Sequence, residues 1–189
     1  EQHLAPDAAT GEICGVDQNL ADGWLKALAV MTTNYASGRS EAWVDTLEET
    51  IWSGSQVSAR RTSLTIDHVM ASAALPFFFP AVRLRNHWHG DGGVRLAAPL
   101  SPALRLGAKR ILAVSPRAKP QDPVEGLVTS YPSPGQVAGV MLNAVFLDLL
   151  DFDAMQMQRI NDLLRRIPKQ NWGNQRQVDV MVLRPQQDL

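Results

Sequence analysis

Residues 25–32, Leu-Lys-Ala-Leu-Ala-Val-Met-Thr, make a compact apolar run of strand length, and the polar stretch Asn34 to Ser40 after it predicts a turn. Ala42-Trp43-Val44 returns as a short strand, and Asp45 to Ser55 is a mixed connection with helical character. Upstream, residues 1–24 show no clean period and are punctuated by Gly11, Gly15 and Gly23, so a loose approach with one short helix is expected. Thr65 suits an N-cap and Asp67 the first turn of a helix that places Ile66, Val69, Met70 and Ala73 on one face and stops at Pro76. Val82–Leu84 and Asn86–Trp88 then form a hairpin leading into a turn at Gly90 to Gly93.

Further on, Ser101 as N-cap and Pro102 at the first helical position start a helix to Leu106, closed by Gly107 before the strand Arg110 to Ser115. Five prolines between Pro116 and Gly135 predict a long irregular loop. From Gln136 to Ile167 apolar positions recur at three and four, which predicts a long amphipathic helix with a break near Asp151 to Asp153. Gln177 to Arg184, closed by Pro185, is a last strand. Strand, helix, strand in that order implies parallel pairing through a crossover, and so an α/β sheet with helices on its faces.

With 189 residues, 45% hydrophobic and 20% charged, the chain is of ordinary globular composition, and one domain is expected. A net charge of −1 with scattered Lys and Arg argues against a nucleic-acid partner. Cys14 is the single cysteine, so no intrachain disulfide forms, which fits a reducing, cytoplasmic setting. The apolar run Ala71 to Val82 carries Pro76 and Pro80 and is far shorter than the roughly 20 residues of a membrane-spanning helix. The N-terminus has neither an initiator Met nor the order of a signal peptide, and reads as the start of a cleaved or excised piece.

The chemistry concentrates in Gly90-Asp91-Gly92-Gly93. A carboxylate acting as general base must be held rigidly and partly dehydrated, and glycines on both sides allow Asp91 to be aimed into a cleft. On spacing alone, a plain hairpin turn is the stronger reading. His87, His89 and Asp91 alternate, so on a strand they share a face and could seat a metal. The pattern is similar to the His-x-His-x-Asp of metallo-β-lactamase-type hydrolases, yet Gly92 follows and no histidine occurs after His89. Exposed hairpin histidines are the blander account.

Ser53-Gly54-Ser55 is not the Gly-x-Ser-x-Gly of a nucleophile elbow, and Ser72 sits in a small-residue helix where packing explains it. No Gly-x-Ser-x-Gly occurs in the chain. Phe77, Phe78 and Phe79 between two prolines are candidates to line an acyl-chain pocket or to touch a membrane, with a packed core turn as the even alternative. Asp148, Asp151 and Asp153 do not have the spacing of a calcium loop, and Arg165 and Arg166 suit a helix C-terminus without any ligand.

Taken in order, Ala71-Ser72-Ala73-Ala74-Leu75-Pro76, Phe77-Phe78-Phe79-Pro80, Asp91-Gly92-Gly93, Pro99-Leu100-Ser101-Pro102-Ala103 and Leu106-Gly107-Ala108-Lys109-Arg110-Ile111-Leu112 resemble the C-terminal half of patatin-like phospholipases, from about Leu25 to Pro185. The resemblance implies an α/β, three-layer fold with a mainly parallel central sheet and helices on both faces, here incomplete, so that 1–189 is the C-terminal portion of one such domain. It also implies a serine lipid acyl hydrolase working through a Ser-Asp dyad without cofactor or metal, in which Asp91 is the base and Gly92 and Gly93 form its supporting turn. The family's elbow and its glycine-rich oxyanion loop precede the Asp; this chain contains neither, so no nucleophile is assigned and these residues alone are expected to be inactive. A lipid or acyl-ester substrate and peripheral membrane contact follow from the resemblance, and oligomeric state stays open. Two other readings stand beside it: a metal-dependent hydrolase on His87, His89 and Asp91, and a non-catalytic lipid- or partner-binding protein on the same fold.

Overall fold

The structure, a computed structural model, describes residues 6–49, 52, 57–96, 98–115, 131–137, 140–141 and 149–185. They fall in two compact units, residues 1–97 and 98–189.

The first unit holds α1 (Val16–Ala21), β1 (Ala27–Asn34), β2 (Arg39–Thr46), β3 (Val57–Arg61), α2 (Ile66–Ser72), β4 (Val82–Leu84), β5 (His87–Asp91) and a 3-10 turn (Gly92–Val94). Its sheet runs β3-β2-β1-β5-β4. β1 and β2 form a hairpin from Ala27↔Thr46 to Asn34↔Arg39, whose turn is fixed by Asn34 Oδ1 accepting from the Ala36 and Ser37 N–H groups at 2.9 and 3.2 Å. The α/β class is as expected, but this sheet is mixed rather than mainly parallel: β1–β2, β1–β5 and β4–β5 are antiparallel and only β2–β3 is parallel. For β1–β2 and β4–β5 the cause is connection length. Four residues (35–38) and two (85–86) can only reverse the chain, whereas parallel neighbours need a crossover of about a dozen. β2 also runs on to Thr46, so the described part of 45–55 is strand and bend instead of helix.

The core of this unit is Trp43, Leu64, Ala71 and Leu84, with Ile13, Leu28, Val30 and Val82 packed against them. α2 meets it through His68 and Ala71, while Met70 is about half exposed, so the buried face is not the one the apolar residues suggested. His68 can turn inward because its Nδ1 accepts the Thr65 N–H at 3.1 Å, which satisfies the ring locally and frees its edge to pack on Trp43 at 4.8 Å between centroids.

The second unit holds α3 (Ser101–Arg105), β6 (Arg110–Val114), α4 (Leu149–Arg166), a 3-10 turn (Lys169–Asn171) and β7 (Asp179–Leu183). β6 and β7 pair in parallel from Arg110↔Asp179 to Val114↔Leu183, with α4 between them in the chain, as the strand-helix-strand order predicts. Leu100, Ile111, Ala113, Ala154, Met157 and Val178 form its core. The helix cap lies at Leu100 instead of Ser101, and the Leu100 N–H is taken by Asp153 Oδ2 at 2.8 Å. α4 passes through Asp151–Asp153 without the expected break. Residues 138–139 and 142–148 of that predicted helix, and most of the proline-rich loop, lie outside the described residues.

Candidate active site

β5 carries the site, and it is longer than its apolar pattern suggests: the ladder with β1 runs through Asn34↔His89 and Thr33↔Gly90 to Thr32↔Asp91. Gly90 and Gly92 permit this close approach. A Cβ on Gly90 would lie 2.0 Å from the Tyr35 hydroxyl, and one on Gly92 would lie 2.3 Å from the Met31 carbonyl oxygen. Glycine at 92 is therefore demanded by main chain, which cannot swing aside.

Asp91 is half-buried at the point where β5 passes into the 3-10 turn. Its N–H donates to the Ala74 carbonyl at 2.9 Å, its carbonyl accepts from Thr33 Oγ1 at 2.8 Å, and its Oδ1 accepts from the Gly93 N–H at 2.7 Å. Burial raises its carboxyl above the usual range, and the Gly93 N–H, which favours the anion, opposes that in part. The result is a rigid carboxylate of enhanced proton affinity.

Behind it lies a buried polar layer. The Trp43 indole N–H donates to Thr32 Oγ1 at 2.8 Å, and Thr32 Oγ1 lies 3.0 Å from His89 Nδ1. Since the indole can only donate, the threonine oxygen accepts it and keeps its own proton for Nδ1. Burial lowers the His89 pKa, outweighing the opposing pull of the buried Glu41. Glu41 itself accepts from Asn34 Nδ2 at 2.9 Å and pairs with Arg60 Nε at 3.1 Å.

Of the metal candidates, His87 is exposed and His89 is buried and engaged with Thr32. No group of three His, Cys, Asp or Glu side chains among the described residues is placed to share a metal ion, so the trio His87, His89 and Asp91 is not brought together as a ligand set. Along the strand the side chains pass from the exposed His87 to the buried His89. Asp151 pairs with Arg184 and Asp153 caps Leu100, each a structural duty, while Asp148 lies outside the described residues. Phe77, Phe78 and Phe79 stand exposed on the turn after α2, Phe77 completely so and with φ of 71°. Ser53, Gly54 and Ser55 lie outside the described residues, and Ser72 ends α2.

Sequence reasoning missed Thr32, Thr33 and Trp43, whose roles depend on strand register. It also passed over Ser40, whose hydroxyl is buried without a partner; at 1% exposure on β2 no acyl carbonyl reaches it. Among the described residues no helix is long and apolar enough to cross a membrane.

A half-buried carboxylate held by a glycine turn at the end of a sheet strand, with its proton affinity raised, has the chemistry a general base needs. Residues 21–104 match the family model of patatin-like phospholipases, so the stretch spanning the first unit's sheet, Asp91 and most of α3 is patatin-like. That family acts on lipid acyl groups. Comparison with curated proteins and with solved structures gives no match.

Proposed function

We propose that the chain is the Asp-bearing, C-terminal portion of a patatin-like lipid acyl hydrolase, with Asp91 as the base of a Ser-Asp dyad. The observation that carries this reading is the Asp91 carboxylate itself: one oxygen is fixed by Gly93, and burial raises its affinity for a proton. In the reaction Asp91 takes the proton of a serine hydroxyl as the serine oxygen attacks the ester carbonyl. The departing alcohol receives that proton, and water, deprotonated in the same way, then releases the fatty acid from the acyl-enzyme. In this reading the serine is supplied from outside these 189 residues, which hold no Gly-x-Ser-x-Gly. The exposed rings of Phe77, Phe78 and Phe79 supply apolar surface for the acyl chain or the lipid interface.

The test uses a medium-chain p-nitrophenyl ester. The 189-residue chain alone turns nothing over; joined to its upstream sequence it hydrolyses the ester, and Asp91→Asn lowers kcat about 10²- to 10⁴-fold. Turnover by the joined protein that survives Asp91→Asn refutes the assignment.

A further inference from the structure

Asp91 is anchored to a residue 58 positions earlier in the chain, and not through the sheet ladder alone: the Thr33 hydroxyl donates to the Asp91 carbonyl oxygen at 2.8 Å. We propose that Thr33 is a positioning residue for the Asp91 carboxylate, holding the peptide plane on which the carboxylate's own hydrogen bond depends. The inference rests on Asp91 being the dyad base.

The direction of a side chain is set by the backbone on either side of its Cα. At Asp91 both sides are tied, the N–H to Ala74 and the C=O to Thr33. The carboxylate is then fixed by one further bond, from the Gly93 N–H. The carbonyl that Thr33 holds belongs to the peptide joining Asp91 to Gly92, one peptide before the one that carries the Gly93 N–H. Once released, that plane can rotate, because glycine at 92 offers no Cβ to resist it through its own torsions, and rotation carries the Gly93 N–H away from Oδ1. Threonine suits the task. It is buried at 2% exposure, and its branched Cβ restricts χ1 on a strand, so the hydroxyl is aimed in advance.

The test is NMR on the ¹⁵N-labelled full chain. An amide bonded to a carboxylate shifts when that carboxylate protonates, so the Gly93 amide proton moves in a step as pH crosses the Asp91 pKa, and Asp91→Asn abolishes the step. Thr33→Val, which keeps shape and loses only the donor, is expected to cut the step to half or less, and Thr33→Ser to restore it. A purely structural Thr33 would lower the melting temperature and leave the amplitude alone, so a full step in Thr33→Val overturns the proposal. Should Thr33→Val fail to fold, Thr33→Cys, a weak donor of similar size, is judged by the same amplitude. In the joined hydrolase Thr33→Val lowers kcat roughly ten- to a hundredfold with KM unchanged. A halved step in Thr33→Val, with Asp91→Asn leaving hydrolysis untouched, would sink the dyad and spare the positioning; an undiminished step would do the reverse.

Discussion

Gly92→Ala tests how tightly β1 and β5 are joined beside Asp91. The added methyl would lie 2.3 Å from the Met31 carbonyl oxygen, 2.6 Å from its carbonyl carbon and 2.8 Å from its Cβ, far inside the 3.5–4.0 Å of a good contact. Met31 is paired with Ala42 on the other side, so relief requires β1 to move against β2 or the 3-10 turn to lift away. Overpacking of this kind costs about 1–3 kcal/mol, and a main-chain obstacle puts the change at the upper end. For a unit of this size 1 kcal/mol corresponds to about 4–8 °C, so a fall on the order of 10–20 °C is expected. The assay is a thermal melt followed by near-UV circular dichroism, which senses the buried Trp43. Gly38→Ala is the control: Gly38 has φ of 64° and no atom within 4 Å of an added Cβ, so its cost is backbone strain of about 1–2 kcal/mol and no clash. Gly92→Ala melting no lower than Gly38→Ala would refute the close-approach argument.

Thr32→Val removes the acceptor of the Trp43 indole and the partner of His89 Nδ1, leaving two buried polar groups unsatisfied at about 1–3 kcal/mol each. Urea denaturation should place its midpoint well below wild type with Thr32→Ser in between or restored, and a Val variant as stable as wild type would remove the polar layer from the account. His68 and His89 both have pKa values lowered from 6.5 by burial, so they are neutral in the folded protein, and the stability they hold is complete above about 6.5 and lost as pH falls through their lowered folded values. Asp45 and Asp91, raised by burial, act with the opposite sign, their contribution being complete below 3.8 and lost as pH rises through their folded values. Histidine NMR separates the two sets; a His89 midpoint at or above 6.5 would contradict its burial.

The strands β1 and β6, the helix α3 and the location of Asp91 were all legible in the sequence, because each depends on local signals: an apolar run, an early proline with a closing glycine, a carboxylate between glycines. The parts that were not legible are those where one segment answers another. The inward face of α2 is set by His68, whose polarity reads as surface until the Thr65 N–H is seen to satisfy it. The antiparallel β1–β2 and β4–β5 pairings follow from turns of four and two residues, which the periodicity of the strands does not encode. His87 and His89 look equivalent by alternation, yet the first is exposed and the second buried. Thr33 is one of two adjacent threonines, and only register distinguishes the one that faces His89 from the one that holds Asp91.

The β1–β5 ladder also bears on how the molecule comes together. β1–β2 and β4–β5 are hairpins whose partners lie close in sequence, whereas they join each other through three register pairs, Thr32↔Asp91, Thr33↔Gly90 and Asn34↔His89. Closing that seam brings together residues separated by 58 positions, so its entropic cost falls on a step distinct from forming either hairpin. Asp91 sits on the seam itself. Asp91 therefore takes its place in the fold through a long-range contact, and the Thr33–Asp91 hydrogen bond can form only once the two hairpins have joined.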